Sequence, residues 1–170
     1  MPNHVTNRVT IDGTKAQVKK VLAAIKSKDR AIDFEKIIPM PKRIYRGNLG
    51  QAEEQKFGRE NCWYEWSISN WGTKWNAYDT SVEGNTVIFD TAWSAPKPIL
   101  EELSLMFPEV SFYHEYADED IGSNCGAGTF QNREYIPEIE FDSYSKDSAR
   151  FALGVKGWDA DEYFSEMEEE

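Results

Sequence analysis

Thr86-Val87-Ile88-Phe89-Asp90-Thr91-Ala92-Trp93 decides the fold. Val87, Phe89 and Thr91 alternate with Ile88, Asp90 and Ala92, the period-two pattern of a strand with one buried face. Gly84-Asn85 precedes it, a hairpin turn between this strand and another over 77–83. Ser94-Ala95-Pro96 follows and introduces a helix. Ile99, Leu100, Leu103, Met106 and Phe107 form the apolar stripe of that helix, and Pro108 ends it. A strand from Val110 to Ala117 comes next, with Val110, Phe112, His114 and Tyr116 on one face. This central stretch therefore reads β-β-α-β.

Upstream, Val5, Asn7, Val9 and Ile11 share one face of a strand that Asp12-Gly13 closes. Thr14 can cap a helix running to about Lys28. Its apolar stripe is Val18, Val21, Leu22 and Ile25, with Lys15, Lys19, Lys20 and Lys26 on the solvated side. With residues 31–76 set aside, the order becomes β-α-β-β-α-β. This is the split βαβ, ferredoxin-like plan: an α+β sandwich with an antiparallel sheet. It predicts a domain over 1–142 that includes a Trp-rich insertion at 31–76. An acidic helical extension and tail follow at 143–170, with helices over 145–155 and 159–167 and a frayed, solvated end at 166–170. Within the insertion, 33–38 reads as a short extended piece and 42–59 as a loop with one helical turn. Asn61 reads as the cap of a helix carrying Trp63, Tyr64, Trp66, Ile68 and Trp71. Residues 125–131 read as one further strand.

The 170 residues carry a net charge of −11, and 14% are aromatic. That aromatic content opposes wholesale disorder, and the acidity opposes a simple duplex-DNA binder. The charge is unevenly placed. Residues 1–60 have a net of +6, residues 61–137 a net of −9 and residues 138–170 a net of −8. A nucleic-acid contact through the first third is thereby weakened rather than excluded. No apolar run is long enough to span a membrane, and no secretory signal precedes the first strand. Two cysteines, Cys62 and Cys125, suit reduced thiols in a cytoplasmic protein, although one disulfide between them stays open.

Several segments together form a signature. They are Met1-Pro2-Asn3-His4-Val5-Thr6-Asn7, Phe34-Glu35-Lys36-Ile37-Ile38-Pro39-Met40-Pro41, Trp63-Tyr64-Glu65-Trp66, Asn70-Trp71-Gly72-Thr73-Lys74-Trp75-Asn76-Ala77-Tyr78-Asp79, Phe89-Asp90-Thr91-Ala92-Trp93-Ser94 and Tyr116-Ala117-Asp118-Glu119-Asp120. Over roughly residues 1–130 the chain resembles the YubB-like ferredoxin-like-domain proteins of bacterial plasmids and phages. The resemblance implies the ferredoxin-like fold, a bacterial or phage cytosolic setting and accessory-gene status. It implies no catalytic residues and no cofactor.

Candidate binding residues fall in two groups. Trp63, Trp66, Trp71 and Trp75, with Lys74, Asn76 and Asp79 among them, could stack a base or a small ring. The competing reading makes the tryptophans core beneath the insertion and the polar groups hydrogen-bond partners of nearby backbone. Asp118, Glu119 and Asp120 could face a hard cation or mimic phosphates, but the spacing fails a calcium loop because position twelve is Thr129. No phosphate-cradle motif or nucleophile signature is present, so no metal or catalytic residue is assigned. The sequence favours a non-enzymatic accessory protein that binds a host protein. One version is an acidic inhibitor of a nucleic-acid-handling or defence protein. The alternatives are a single-stranded nucleic-acid binder and a small enzyme whose site is scattered along the chain.

Overall fold

The computed structural model describes residues 2–169. Met1 and Glu170, the ends of the opening motif and of the acidic tail, lie outside them. Strand β1 (His4–Asp12) and helix α1 (Lys15–Ile25) open the chain. α1 starts on a capping box, in which Thr14 Oγ1 accepts from the Gln17 backbone N–H and the Gln17 side chain accepts from the Thr14 N–H. Strands β2 (Tyr78–Glu83) and β3 (Thr86–Ala92) form the expected hairpin, and α4 (Lys97–Met106) and β4 (Ser111–Asp118) follow. α2 (Gln51–Phe57) and α3 (Trp63–Trp71) lie in the insertion. The sheet continues into β5 (Cys125–Gln131) and β6 (Glu134–Ile139), and α5 (Lys146–Lys156) and α6 (Ala160–Glu168) end the chain.

The sheet order is β2-β3-β1-β4-β5-β6, and every neighbouring pair is antiparallel. Its first four strands have the ferredoxin-like arrangement, with β1 between β3 and β4. The fold is therefore α+β and ferredoxin-like, extended by two strands. β6 is a strand beyond those expected from the sequence. It shields the growing edge, and its Tyr135 ring lies so close to Gly128 that a Cβ there has no room.

The two faces of the sheet are covered differently. Val9, Ile11, Val87, Phe89, Phe112 and Phe130 pack under α1, α4 and the insertion in one continuous core. The opposite face is covered at one end by α5, through Ala117, Ala152 and Val155, and Lys156 Nζ donates to Thr6 Oγ1 at 3.1 Å. α6 packs on α5 and buries no residue of its own.

The insertion folds back onto the domain. Phe34, Ile37, Met40, Ile44, Trp66 and Trp71 join the main core. The extended piece expected at 33–38 is instead a 3-10 turn over Phe34–Lys36. Asp33 Oδ1 accepts from the Glu35 N–H, and Asn76 Oδ1 accepts from the Phe34 N–H, so side chains satisfy the donors that a ladder would otherwise need. The expected cap at Asn61 is also corrected. α3 begins at Trp63 with Cys62 in the cap position, because Asn61 is already bonded to Arg43 and to the Phe57 carbonyl. Gly72 ends α3 at φ +77°, where a Cβ would stand 2.7 Å from Pro98 of α4.

Candidate functional site

α3 and the chain leaving it divide the tryptophans. Trp66 and Trp71 are 7% and 4% exposed, edge to face with centroids 5.2 Å apart. Trp71 Nε1 donates to the Ile38 carbonyl at 2.8 Å. Both pack in the core, which withdraws the Trp66 face from a stacking platform, while an edge of Trp71 still lines the neighbouring cleft. Trp63 is half-buried, with Nε1 donating to the Gly47 carbonyl.

Trp75 and Trp93 are 39% and 41% exposed. The Lys74 ammonium lies against both rings, 4.6 Å from the Trp75 centroid and 5.0 Å from that of Trp93. This is a cation held by two π-faces. No carboxylate among the described residues lies within 4.0 Å of it. Tyr64 packs edge-on to Trp93 at 6.0 Å. Trp93 sits at φ +74°, a backbone region costly to a bulky residue by about 1–3 kcal/mol. It is held there from both sides, since its N–H donates to the Asn3 carbonyl and its own carbonyl accepts from Asn124 Nδ2. An exposed ring is thus fixed in place by a strained backbone.

Beside this rim lies a cleft of about 340 Å³, walled by Trp63, Trp71 and Trp75. It holds three cations, Arg30, Arg46 and Lys74, and two carboxylates, Asp33 and Glu35. Arg46 donates to the Met40 carbonyl and lies 3.5 Å from Glu35, and Arg30 Nε donates to the Ala77 carbonyl. Burial pushes the Asp33 carboxyl up. Hydrogen bonds from Asn76, Ser27 and the Glu35 backbone, with the Arg30 charge, outweigh it and hold Asp33 below its ordinary value. Asn76 is a structural pin: Oδ1 accepts from Phe34 and Ala77, and Nδ2 donates to Asp33. Asp79 is exposed on edge strand β2 at φ +49°, where the register shifts.

The acidic turn lies elsewhere. Asp118 is buried and accepts from Asn3, from Asn124 and from the Asp120 N–H. Asp120 Oδ2 accepts from Ser123 and from the Tyr144 hydroxyl at 2.6 Å, and both Glu119 and Asp120 are exposed. Asp118 is therefore spent within the turn, whereas Asp120 and Glu119 keep exposed carboxylates. Among the described residues no three His, Cys, Asp or Glu side chains gather as a metal site.

Both cysteines are free thiols, so the disulfide left open by the sequence is not formed. Cys62 Sγ donates to the Gly58 carbonyl and Cys125 Sγ to the Ser148 carbonyl. His4 Nδ1 is 2.5 Å from the Tyr78 hydroxyl, whose pKa burial pushes up to about 12, helped by Asp90, Asp79 and Glu119. His114 is wholly buried, stacked on Tyr116. Asn7 Nδ2 donates to the Val5 carbonyl and to Thr91 Oγ1, so Asn7 Oδ1 is the acceptor facing His114 Nε2 at 2.9 Å. Nε2 therefore carries the proton, and burial holds the imidazole neutral with a pKa of about 3.

The model of the family described as a ferredoxin-like domain in Api92-like protein matches residues 70–161, more than half of the chain. The chain belongs to this family. No curated protein and no solved structure matches it. The Api92-like ferredoxin-like domain takes in β2 through α5 and brings Lys74, Trp75 and Trp93 to the site. Arg30, Arg46, Trp63 and Tyr64 lie outside that match, contributed by the insertion and by the segment just before it. The sequence by itself does not mark Trp93 or Arg30 as site residues. Trp93 follows the last alternating position of β3, and that break in period, with its place in the signature segment from Phe89 to Ser94, is the signal the sequence offers.

Proposed function

We propose that this chain is a non-enzymatic accessory protein, of the YubB-like plasmid and phage kind, that binds a host protein in the cytoplasm. The binding surface is centred on Lys74, Trp75 and Trp93. The observation that carries this reading is the Lys74 ammonium between two exposed rings, without a carboxylate partner among the described residues, one of the rings being fixed at a strained backbone position. Aromatic side chains dominate protein–protein hot spots, and a ring already immobilised loses little entropy on binding.

A second reading, a single-stranded nucleic-acid contact, is favoured by Arg30, Arg46 and Lys74 sharing one cleft with Trp63 and Trp75. The phosphate-mimic version of the inhibitor would rest on Glu119, Asp120 and the acids of α6, since Asp118 is buried and engaged internally. Among the described residues no helix is long and apolar enough to cross a membrane.

Capture from a bacterial lysate on the immobilised full chain, with and without nuclease, tests both readings. A protein retained after nuclease by wild type and lost with Lys74→Glu supports the first. Capture that vanishes with nuclease, alongside salt-dependent oligonucleotide binding, would replace it with the second.

A further inference from the structure

A groove of about 650 Å³ runs along the outer side of α1 beside the β2–β3 hairpin. Val18, Leu22 and Ala23 floor it, and Lys15, Lys19 and Lys26 rim it. None of these lysines has a carboxylate within 4.0 Å among the described residues. The groove adjoins a second hollow that holds Lys28, Asp29, Arg30 and the exposed Val82, one carboxylate among cations. An apolar floor with a cationic rim fits an amphipathic helix whose polar side is acidic.

The chain carries such a helix. α6 sets Tyr163, Phe164 and Met167 among Asp161, Glu162 and Glu166, and Met167 is 61% exposed. Arg150 ties α6 to α5 through exposed groups, in an ion pair with Asp161 at 3.3 Å and with its guanidinium 5.2 Å from the ring of half-buried Phe164, so the tie is weak and Met167 stays free. α6 rests on α5, across the sheet from α1, so it cannot reach the groove of its own chain. The lysines of α1 and the carboxylates of α6 are thus carried on opposite faces of the sheet.

We propose that α6 of one copy docks in the lysine-rimmed groove of a second copy, so that the protein associates head to tail. The contact is heterologous: each copy keeps a free groove at one end and a free helix at the other. Assembly therefore grows with concentration into short chains or closes into a ring. Because the rim charges are exposed, salt weakens it.

Sedimentation velocity on the full chain at low salt tests this. Wild type is expected to gain mass with concentration, and to lose about tenfold in association affinity on addition of 0.5 M salt. Lys19→Glu with Lys26→Glu should be monomeric, as should a chain ending after Trp158. Met167→Lys gives the same test with α6 still present. All should melt within about 2 °C of wild type, since α6 buries no residue and the lysines are exposed. Mixing the lysine variant with the shortened chain should yield a one-to-one complex, because one keeps the helix and the other the groove. A wild type that stays monomeric at the highest concentration, even if its groove then takes an unrelated acidic peptide, overturns the proposal. So does association that survives in the variants, or a mixture that fails to pair.

Discussion

Trp66 and Trp71 fill the core, while Trp75 and Trp93 flank a lysine at the surface. All four belong to the same family signature. What separates them is the backbone. The first pair lies within α3, whose inner side is presented to Phe34 and the sheet. The second pair lies just beyond the end of a regular element. Trp75 follows the Gly72 cap, and Trp93 follows β3 at positive φ. Inside an element the period assigns a side chain to a face. Past its end the chain turns, and the side chain is released from that assignment.

The largest expected contrast is thermodynamic. Trp71→Ala should cost about 3–5 kcal/mol in urea unfolding, through lost burial and a lost hydrogen bond to Ile38. Trp75→Ala should cost under about 1 kcal/mol, as surface changes usually do. Equal costs would erase the distinction between the pairs.

The core side is also where pH should act. His114 is held neutral when folded, with a pKa of about 3 against 6.5 when free. Between those values the unfolded chain binds the extra proton, so stability is lost as pH falls from 6.5 toward 3. The slope approaches about 1.4 kcal/mol per pH unit. Denaturant titrations from pH 7 to pH 4 should show this slope in wild type and a flatter one in His114→Gln. Parallel curves would show that His114 is not the group responsible.

Within the acidic turn, Asp118→Ala should cost about 1–3 kcal/mol, because it strands the Asn3, Asn124 and Asp120 donors. Glu119→Ala should be close to neutral in the same thermal melts. The smallest effect on folding belongs to Trp93→Gly. Relief of the positive φ and loss of the half-exposed ring oppose each other, and the net should stay within about 1 kcal/mol.

The sheet-forming stretches were legible because their periods agree with their faces. Val87, Phe89 and Thr91 point inward as the alternation requires, and the hairpin closes at Gly84-Asn85. The insertion was less legible. Phe34 to Ile38 has a strand-like composition, yet Asn76, forty-two residues away, takes the Phe34 N–H and leaves a 3-10 turn. The site was half legible. Lys74 and Trp75 stand out by type, but Trp93 and Arg30 reach them only through the folded chain. Asp118 looked free beside Glu119 and Asp120 because its partners, Asn3 and Asn124, come from two other segments.

The most direct measurement compares capture of a nuclease-resistant protein partner by wild type and by Trp93→Gly, with melting temperature recorded on the same samples. At an unchanged melting temperature, capture should fall at least about tenfold if the fixed ring is a hot spot. Full capture by a folded Trp93→Gly chain would contradict a binding role for the Lys74–Trp75–Trp93 surface.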